Sequence, residues 1–141
     1  RSSMAPWLSR VRRGRPFITL KIATSLDGMI ARADGQSRWI TGDRARMHGH
    51  VERARHDAIL VGRGTLAADA PRLDVRLQGL EGRSPRRLVL TSGRAPEGWT
   101  AVASPDTTDA LPGIDSLLVE GGAQTAAAFL RAGRVDRLLH Y

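Results

Sequence analysis

The 141-residue sequence contains no cysteine. Disulfides, thiolate-ligated zinc and a thiol nucleophile are therefore excluded. It holds a single lysine, Lys21, among 22 basic residues, the rest being arginine. Aromatic residues make up only 4% of the chain, so there are few platforms on which nucleic-acid bases could stack. No apolar run approaches the roughly 20 residues that cross a bilayer, and no secretory leader pattern is present. These absences read as a cytoplasmic protein without membrane contact. The four histidines show no ligand spacing beyond His48-x-His50, a pair that diverges on a helix and reads as surface. No metal site, Ser-His-Asp set or paired-carboxylate motif is read.

What is present is globular: 41% hydrophobic and 26% charged residues, of a length for one domain with a sizeable core. The formal net charge is +8. Arg1, Arg10, Arg12, Arg13 and Arg15 crowd the start, and the other arginines are scattered. Dispersed arginines suit small anionic ligands better than nucleic acid, which is not read as a partner.

The chain reads in order as a linker (1–15, with Trp7, Leu8 and Val11 able to form an amphipathic turn) and an alternating strand (17–23). Turns follow at 25–28 and 33–35, with a brief apolar run at 29–31. A helix over about 44–55, capped by Thr41 or Asp43, leads into a buried strand at 58–61. A glycine turn at 62–65 and a short helix at 66–68 come next. Further strands are expected at 88–90, 101–103, 116–119 and 135–141, with loops over 78–87 and most of 93–113. An alanine-rich helix over 123–132 closes on Gly133. This alternation means an α/β domain.

Three strand ends carry one signature: Gly62-Arg63-Gly64-Thr65, Thr91-Ser92-Gly93-Arg94 and Glu120-Gly121-Gly122-Ala123-Gln124-Thr125. Each offers backbone N–H groups, hydroxyls or arginine to an anion, and the third opens into a helix whose N-terminus favours negative charge. Three such tips in one small sheet point to a dinucleotide lying across them. Gly62-x-Gly64-x-x-Ala67 resembles a Rossmann fingerprint, but no long helix clearly follows and no acidic residue ends the next strand. Thr91, Ser92 and Arg94 instead suit the 2′-phosphate of NADP. The Rossmann fold is rejected and the NADP reading kept.

Lys21 sits mid-strand among apolar neighbours. It reads either as an edge-strand charge facing water or as a site ammonium whose partner across the sheet is Glu120. Alternation puts it on one face with Thr19 and Ala23.

At these residues the sequence resembles the reductase domain of the bacterial bifunctional riboflavin-biosynthesis deaminase/reductase. The motifs are Thr19-Leu20-Lys21 with Ser25-Leu26-Asp27-Gly28, Ser37-Arg38-Trp39-Ile40-Thr41-Gly42, and Arg53-Ala54-x-His56-Asp57-Ala58-Ile59-Leu60-Val61-Gly62. Gly64-Thr65-x-x-Ala68-Asp69-x-Pro71-x-Leu73 with Arg76, and Val119-Glu120-Gly121-Gly122, complete the set. The resemblance covers about 15–141, in the family's order and spacing. It implies a three-layer dihydrofolate-reductase-like fold with a mostly parallel central sheet and flanking helices.

It also implies NADPH-dependent reduction of the ribose of 5-amino-6-(5-phosphoribosylamino)uracil to ribityl, in a homodimer. Ser37, Arg53, Leu73, Arg76 and Glu120 fall on substrate-binding positions, and Lys21 on a substrate-site lysine. Ala23, Trp39, Thr65, Asp69, Ser92 and the turn at Gly122 fall on NADP-binding positions. Lys21 and Glu120 are expected as catalytic residues, Arg94, Gly121, Ala123, Gln124 and Thr125 as further coenzyme contacts. Ala70 departs from the family's Asp-Asp-Pro. Residues 1–15 are expected to be a linker from an upstream deaminase domain, 16–141 the reductase domain without its last strands, and 93–113 shorter than usual. The alternatives are another reductase of this fold with a different substrate, and a non-catalytic basic nucleotide- or RNA-binding module.

Overall fold

The computed structural model describes residues 4–23, 42–69 and 72–141. The turns expected at 25–28 and 33–35, the run at 29–31, Ser37, Trp39 and the Thr41 cap lie outside these residues. Six strands form one sheet: β1 (Phe17–Ile22), β2 (Ala58–Gly62), β3 (Arg86–Leu90), β4 (Thr100–Val102), β5 (Ser116–Glu120) and β6 (Arg137–His140). The order is β4-β3-β2-β5-β1-β6, and every pairing is parallel. Parallel neighbours need crossovers, and these are supplied in part by α2 (Asp43–Arg55), α3 (Arg63–Asp69) and α4 (Ala123–Arg131).

Alternation along the strands divides two cores. Ile18, Leu20, Leu60, Leu117 and Val119 join Ala126 and Phe129 of α4 on one face. Ile59, Val61 and Leu118 meet Leu73 on the other. Helices on both faces give the three layers of the expected fold. β2 and β5 lie inside the sheet, and all of β2 is buried, which is why each reads as a continuous apolar run. Strand starts are locked by side chains: Asp57 Oδ2 accepts from the N–H groups of Asp115 (2.9 Å) and Ser116 (3.1 Å). Asp136 accepts from the N–H of Ile18 (2.8 Å) and from Arg15 (2.7 Å).

Several expectations are corrected. Residues 4–13, expected within a linker, form helix α1 (Met4–Arg13). Its Arg10 reaches Asp115 at 3.2 Å and donates to the carbonyls of Ile114 and Asp109, contacts distant in sequence that no local pattern announces. The 62–65 turn is absent, because β2 ends at Gly62 and α3 begins at Arg63, so Gly64 is helical. Gly42 is the N-cap of α2, no side chain caps it, and Asp43 is already inside the helix. β3 starts two residues early at Arg86, and 3-10 turns at Glu81–Arg83 and Pro105–Ala110 occupy stretches expected as loop. β1 lies between β5 and β6, so Lys21 is not an edge-strand charge.

Gly133 closes α4 as expected, with φ 65°. The Arg134 N–H donates to Phe129 O and the Gly133 N–H to Leu130 O, the paired bonds of a Schellman motif. At the other end α4 sits tightly on the strand tips. A Cβ at Gly121 would lie 2.6 Å from Thr125 Cβ and 2.8 Å from its Cγ2, whereas one at Gly64 would meet nothing within 4 Å. Gly121→Ala should therefore destabilise by about 1–3 kcal/mol through overpacking. Gly64→Ala should be neutral or stabilise by up to about 1 kcal/mol, since glycine is unfavourable inside a helix. Thermal unfolding of the two variants checks the pair; equal melting temperatures would show that the α4 seat is not tight.

Candidate active site

All six strands run the same way, so their carboxyl ends gather at one edge. Register sets Lys21 of β1 against Glu120 of β5. Lys21 Nζ lies 3.7 Å from Glu120 Oε2. Arg53 comes down from α2 and grips the same carboxylate with both prongs, Nε to Oε1 at 3.1 Å and Nη2 to Oε2 at 2.9 Å. Burial opposes ionisation of Glu120. The Arg53 hydrogen bonds, then the charges of Lys21, Arg53 and His50, outweigh it and hold the carboxyl below its usual value.

α2 crosses this face of the sheet with polar residues where apolar ones would be ordinary. Gly49 admits the Lys21 ammonium, whose Nζ would be 3.4 Å from a Cβ there. Glu52 is fully buried and pairs with Arg137 of β6 at 2.9 Å. His48 Nε2 lies 3.6 Å from Glu52, and its Nδ1 is hydrogen-bonded to the Tyr141 hydroxyl. The Tyr141 ring lies below the Lys21 ammonium, 5.5 Å from Nζ. Burial, then the charges of Glu52 and Glu120, raises the Tyr141 pKa and keeps its phenol protonated.

His56 donates from Nδ1 to Glu52 O (2.6 Å), and its Nε2 accepts from the Thr19 hydroxyl (3.2 Å). That pattern requires the neutral ring, and burial lowers its pKa accordingly. His50 Nδ1 accepts the N–H of Arg76 (3.3 Å); burial and then the charges of Arg53 and Arg76 lower its pKa.

Beside Glu120, a cleft of about 430 Å³ opens among the strand tips, lined by residues 62–65, Leu90 and 122–125. No side chain caps the N-terminus of α4, and a Cβ at Gly122 would meet nothing within 4 Å. Uncapped amides beneath open space suit a phosphate. A larger cleft of about 600 Å³ lies at the opposite end of the sheet, among Trp7, Phe17, His56 and Asp115, away from these groups.

The structure thus gathers Lys21, Arg53 and Glu120, and separately Thr65 with 122–125. Ala23 follows β1 and is half-buried; Ser92 and Arg94 are exposed just after β3; Asp69 ends α3. Leu73 is buried against Ile59, Val61 and Leu118 with φ 55°, so its side chain belongs to the core. Arg76 is 55% exposed and lies 3.4 Å from Asp74. Arg53, expected at a substrate-binding position, has its fork on Glu120 and only Nη1 beyond it, 3.5 Å from Asp74 O. The Thr125 side chain packs against Gly121 rather than standing free. His50, expected on the surface, is half-buried beside Arg53. Sequence reasoning missed Glu52, His56, Arg137 and Tyr141. The available sign was that 43–55 is helical in length and ends yet lacks an apolar stripe.

A parallel α/β sheet with paired charges and an anion-ready cleft at its carboxyl edge has dihydrofolate-reductase-like architecture. Residues 16–108 match the model of the RibD C-terminal domain. The chain is similar to the riboflavin biosynthesis protein RibD of Mycobacterium tuberculosis, 41% identical over 149 residues, covering 96% of this chain and 44% of that protein. To its Escherichia coli counterpart it is 32% identical over 183 residues, covering 96% and 50%. Among solved structures it is similar to a deaminase/5-amino-6-(5-phosphoribosylamino)uracil reductase from Thermotoga maritima, with TM-score 0.83, 30% identity and coverage of 96% of this chain and 47% of that one. Acinetobacter baumannii RibD gives TM-score 0.79 at 28% identity, covering 96% and 48%. The chain belongs to the RibD C-terminal domain family. It spans about half the length of the curated relatives named here.

The lowered histidines fix a pH dependence. His50 and His56 have folded pKa values below the ordinary 6.5, so unfolded chains bind more protons as pH falls past that value. Their stabilisation is complete above about 6.5 and is lost as pH falls through the folded values. Glu120 and Asp136, also lowered, add a second loss below about 4.5 and 3.8. The melting temperature should hold from about pH 7 down to about 6.5, fall as pH drops below that value, and fall further in stronger acid. His56→Gln should shrink the first decline and spare the second, as read by melting curves across pH.

Proposed function

We propose that the domain is an NADPH-dependent reductase that converts the ribose of 5-amino-6-(5-phosphoribosylamino)uracil to ribityl. The observation that carries this reading is the Lys21–Glu120–Arg53 cluster at the carboxyl end of β5, two residues along the chain from Gly122, where the lining of the strand-tip cleft resumes. Family membership supports the reaction class, and the similar Thermotoga maritima reductase supports the substrate. The residues present fit a nicotinamide dinucleotide: open space at Gly64 and Gly122, and uncapped amides at 123–125 for a pyrophosphate. When bound, the nicotinamide supplies a hydride. The chain's own residues do the rest, which is positioning and electrostatics.

Arg53 holds Glu120 ionised and oriented, so that its carboxylate can accept from the substrate while Lys21 donates to the ribose hydroxyls or to the oxygen released on ring opening. Arg76, half-exposed at the rim and anchored by Asp74, offers the guanidinium fork for the 5′-phosphate. Ser92 and Arg94 lie where the 2′-phosphate of NADP would be held. Residues 1–15 remain proposed as a connection to a deaminase domain, the enzyme as a cytoplasmic homodimer; among the described residues no helix is long and apolar enough to cross a membrane.

The test is loss of NADPH absorbance on adding the phosphoribosylaminouracil, using the full chain. Oxidation that requires this substrate supports the reading; none with it, or equal rates with unrelated pyrimidines, overturns it. Lys21→Met should lower kcat by about a hundredfold or more, as loss of a charge-stabilising group does. Its melting temperature should stay near that of the parent.

A second outcome concerns the phosphate. Arg76→Ala should raise KM for the phosphorylated substrate by about ten- to a hundredfold, the scale of a charge-assisted hydrogen bond. A dephosphorylated analogue should be little affected. Arg76→Lys should rescue poorly, because a point charge lacks the fork. Equal KM changes for both substrates would remove Arg76 from the phosphate.

A further inference from the structure

We infer that Tyr141 is a positioning residue for Lys21, its ring face holding the ammonium in place without an oxygen acceptor that would occupy the N–H donors. The effect on turnover rests on the reductase reading above; the contact itself does not. The Lys21 side chain is only 19% exposed, yet its other neighbours hold it loosely. The Arg53 fork already occupies both Glu120 oxygens, and Lys21 Nζ stays 3.7 Å from Oε2, beyond hydrogen-bond length. On α2 the facing position is Gly49, which offers space and no side chain. Among the described residues that leaves Tyr141, with its ring centroid 5.5 Å from Nζ. A ring face attracts a cation through its quadrupole, and more strongly where water is excluded. An ammonium held in this way keeps its three donors for the oxygens of a substrate.

The ring is supported from two sides. β6 runs beside β1, and the Tyr141 N–H donates to Ile22 O at 3.0 Å, one residue beyond Lys21. The hydroxyl is hydrogen-bonded to His48 Nδ1, and the two rings meet at 64° with centroids 5.5 Å apart. His48 Nε2 lies 3.6 Å from the fully buried Glu52, which Arg137 of β6 holds at 2.9 Å. Helix α2 and strand β6 thus fix the plane against which the ammonium rests. The hydroxyl serves that orientation and the ring serves the cation, so two substitutions separate the roles.

Lys21 is the single lysine, so the full chain labelled with carbon-13 lysine gives one ε-methylene NMR cross-peak. That peak reports the contact with neither substrate nor coenzyme present. Ring current should place its protons upfield of their position in the urea-unfolded chain. Tyr141→Leu should remove this displacement, and Tyr141→Phe should keep it. In turnover with NADPH and the phosphoribosylaminouracil, Tyr141→Leu should lower kcat about tenfold, the scale of a cation–π contact away from water, with KM within about twofold. Tyr141→Phe should recover most of that loss. A parent cross-peak at its unfolded position overturns the inference even if Tyr141→Leu fails to fold. So does a Tyr141→Phe chain as slow as Tyr141→Leu, or a KM that rises while kcat holds. A parent that oxidises no NADPH overturns the reductase reading alone, and the cross-peak still decides the contact.

Discussion

A carboxylate buried between two cations organises the carboxyl edge of this sheet. Glu120 is held by the Arg53 fork and faced by Lys21 at 3.7 Å. Such a group is a weak source of stability, because desolvating three charges offsets most of their attraction. Its value lies in what it forbids. With Arg53 on α2, Lys21 on β1 and Glu120 on β5, helix and strands can meet in only one register without stranding a buried charge. The site is therefore assembled by the same contacts that dock α2.

The rest of the α2 interface follows the same logic. A helix over a parallel sheet ordinarily presents an apolar stripe. Here Met47 is exposed while Glu52 is fully buried against Arg137, with His48 and His56 one turn to either side. One Glu52 oxygen has no hydrogen-bond donor, and His56 stays neutral so that its ring can bridge Glu52 O to Thr19. A polar layer of this kind fixes side-chain directions more sharply than methyl groups would, at a cost in desolvation. The larger apolar core lies on the opposite face, where Phe129 and Ala126 of α4 pack over Leu20, Leu60 and Val119, while the Lys21 face keeps a smaller one at Ile59, Val61, Leu73 and Leu118. The Lys21 face thus combines a small apolar core with the charged layer.

This division decides what could be read from the residues. β2 and β5 were legible because strands buried on both faces are apolar throughout, and α4 because alanine and Gly133 mark its body and end. The pairing of Lys21 with Glu120 was legible from alternation and from the rarity of lysine. α1 was not, since Arg10 anchors it through carbonyls and Asp115 far along the chain. Nor was the helical start at Arg63, where glycine chemistry reads equally as a turn. Leu73 resembles a substrate contact by motif, yet its side chain sits in the core. The α2 layer was hidden for a simpler reason. Buried Glu and His follow the same spacing as exposed ones, and only their partners on β1 and β6 distinguish them.

The arginines complete the argument about charge. A net +8 draws phosphorylated molecules toward the protein whatever their identity, but attraction at long range does not hold a ligand in place. At the amino ends of the strands, Arg10, Arg13, Arg15 and Arg134 are bound to Asp115, Asp136 and Asp109 and tie α1 and the loops to the sheet. Over α2, Arg53 and Arg137 hold buried carboxylates in place. Guanidinium groups so engaged cannot also clamp a dianion without breaking the fold's own contacts. Arg63 and Arg94, exposed beyond β2 and β3, have no carboxylate partner among the described residues, and Arg76 at the rim is engaged by Asp74 through Nε alone.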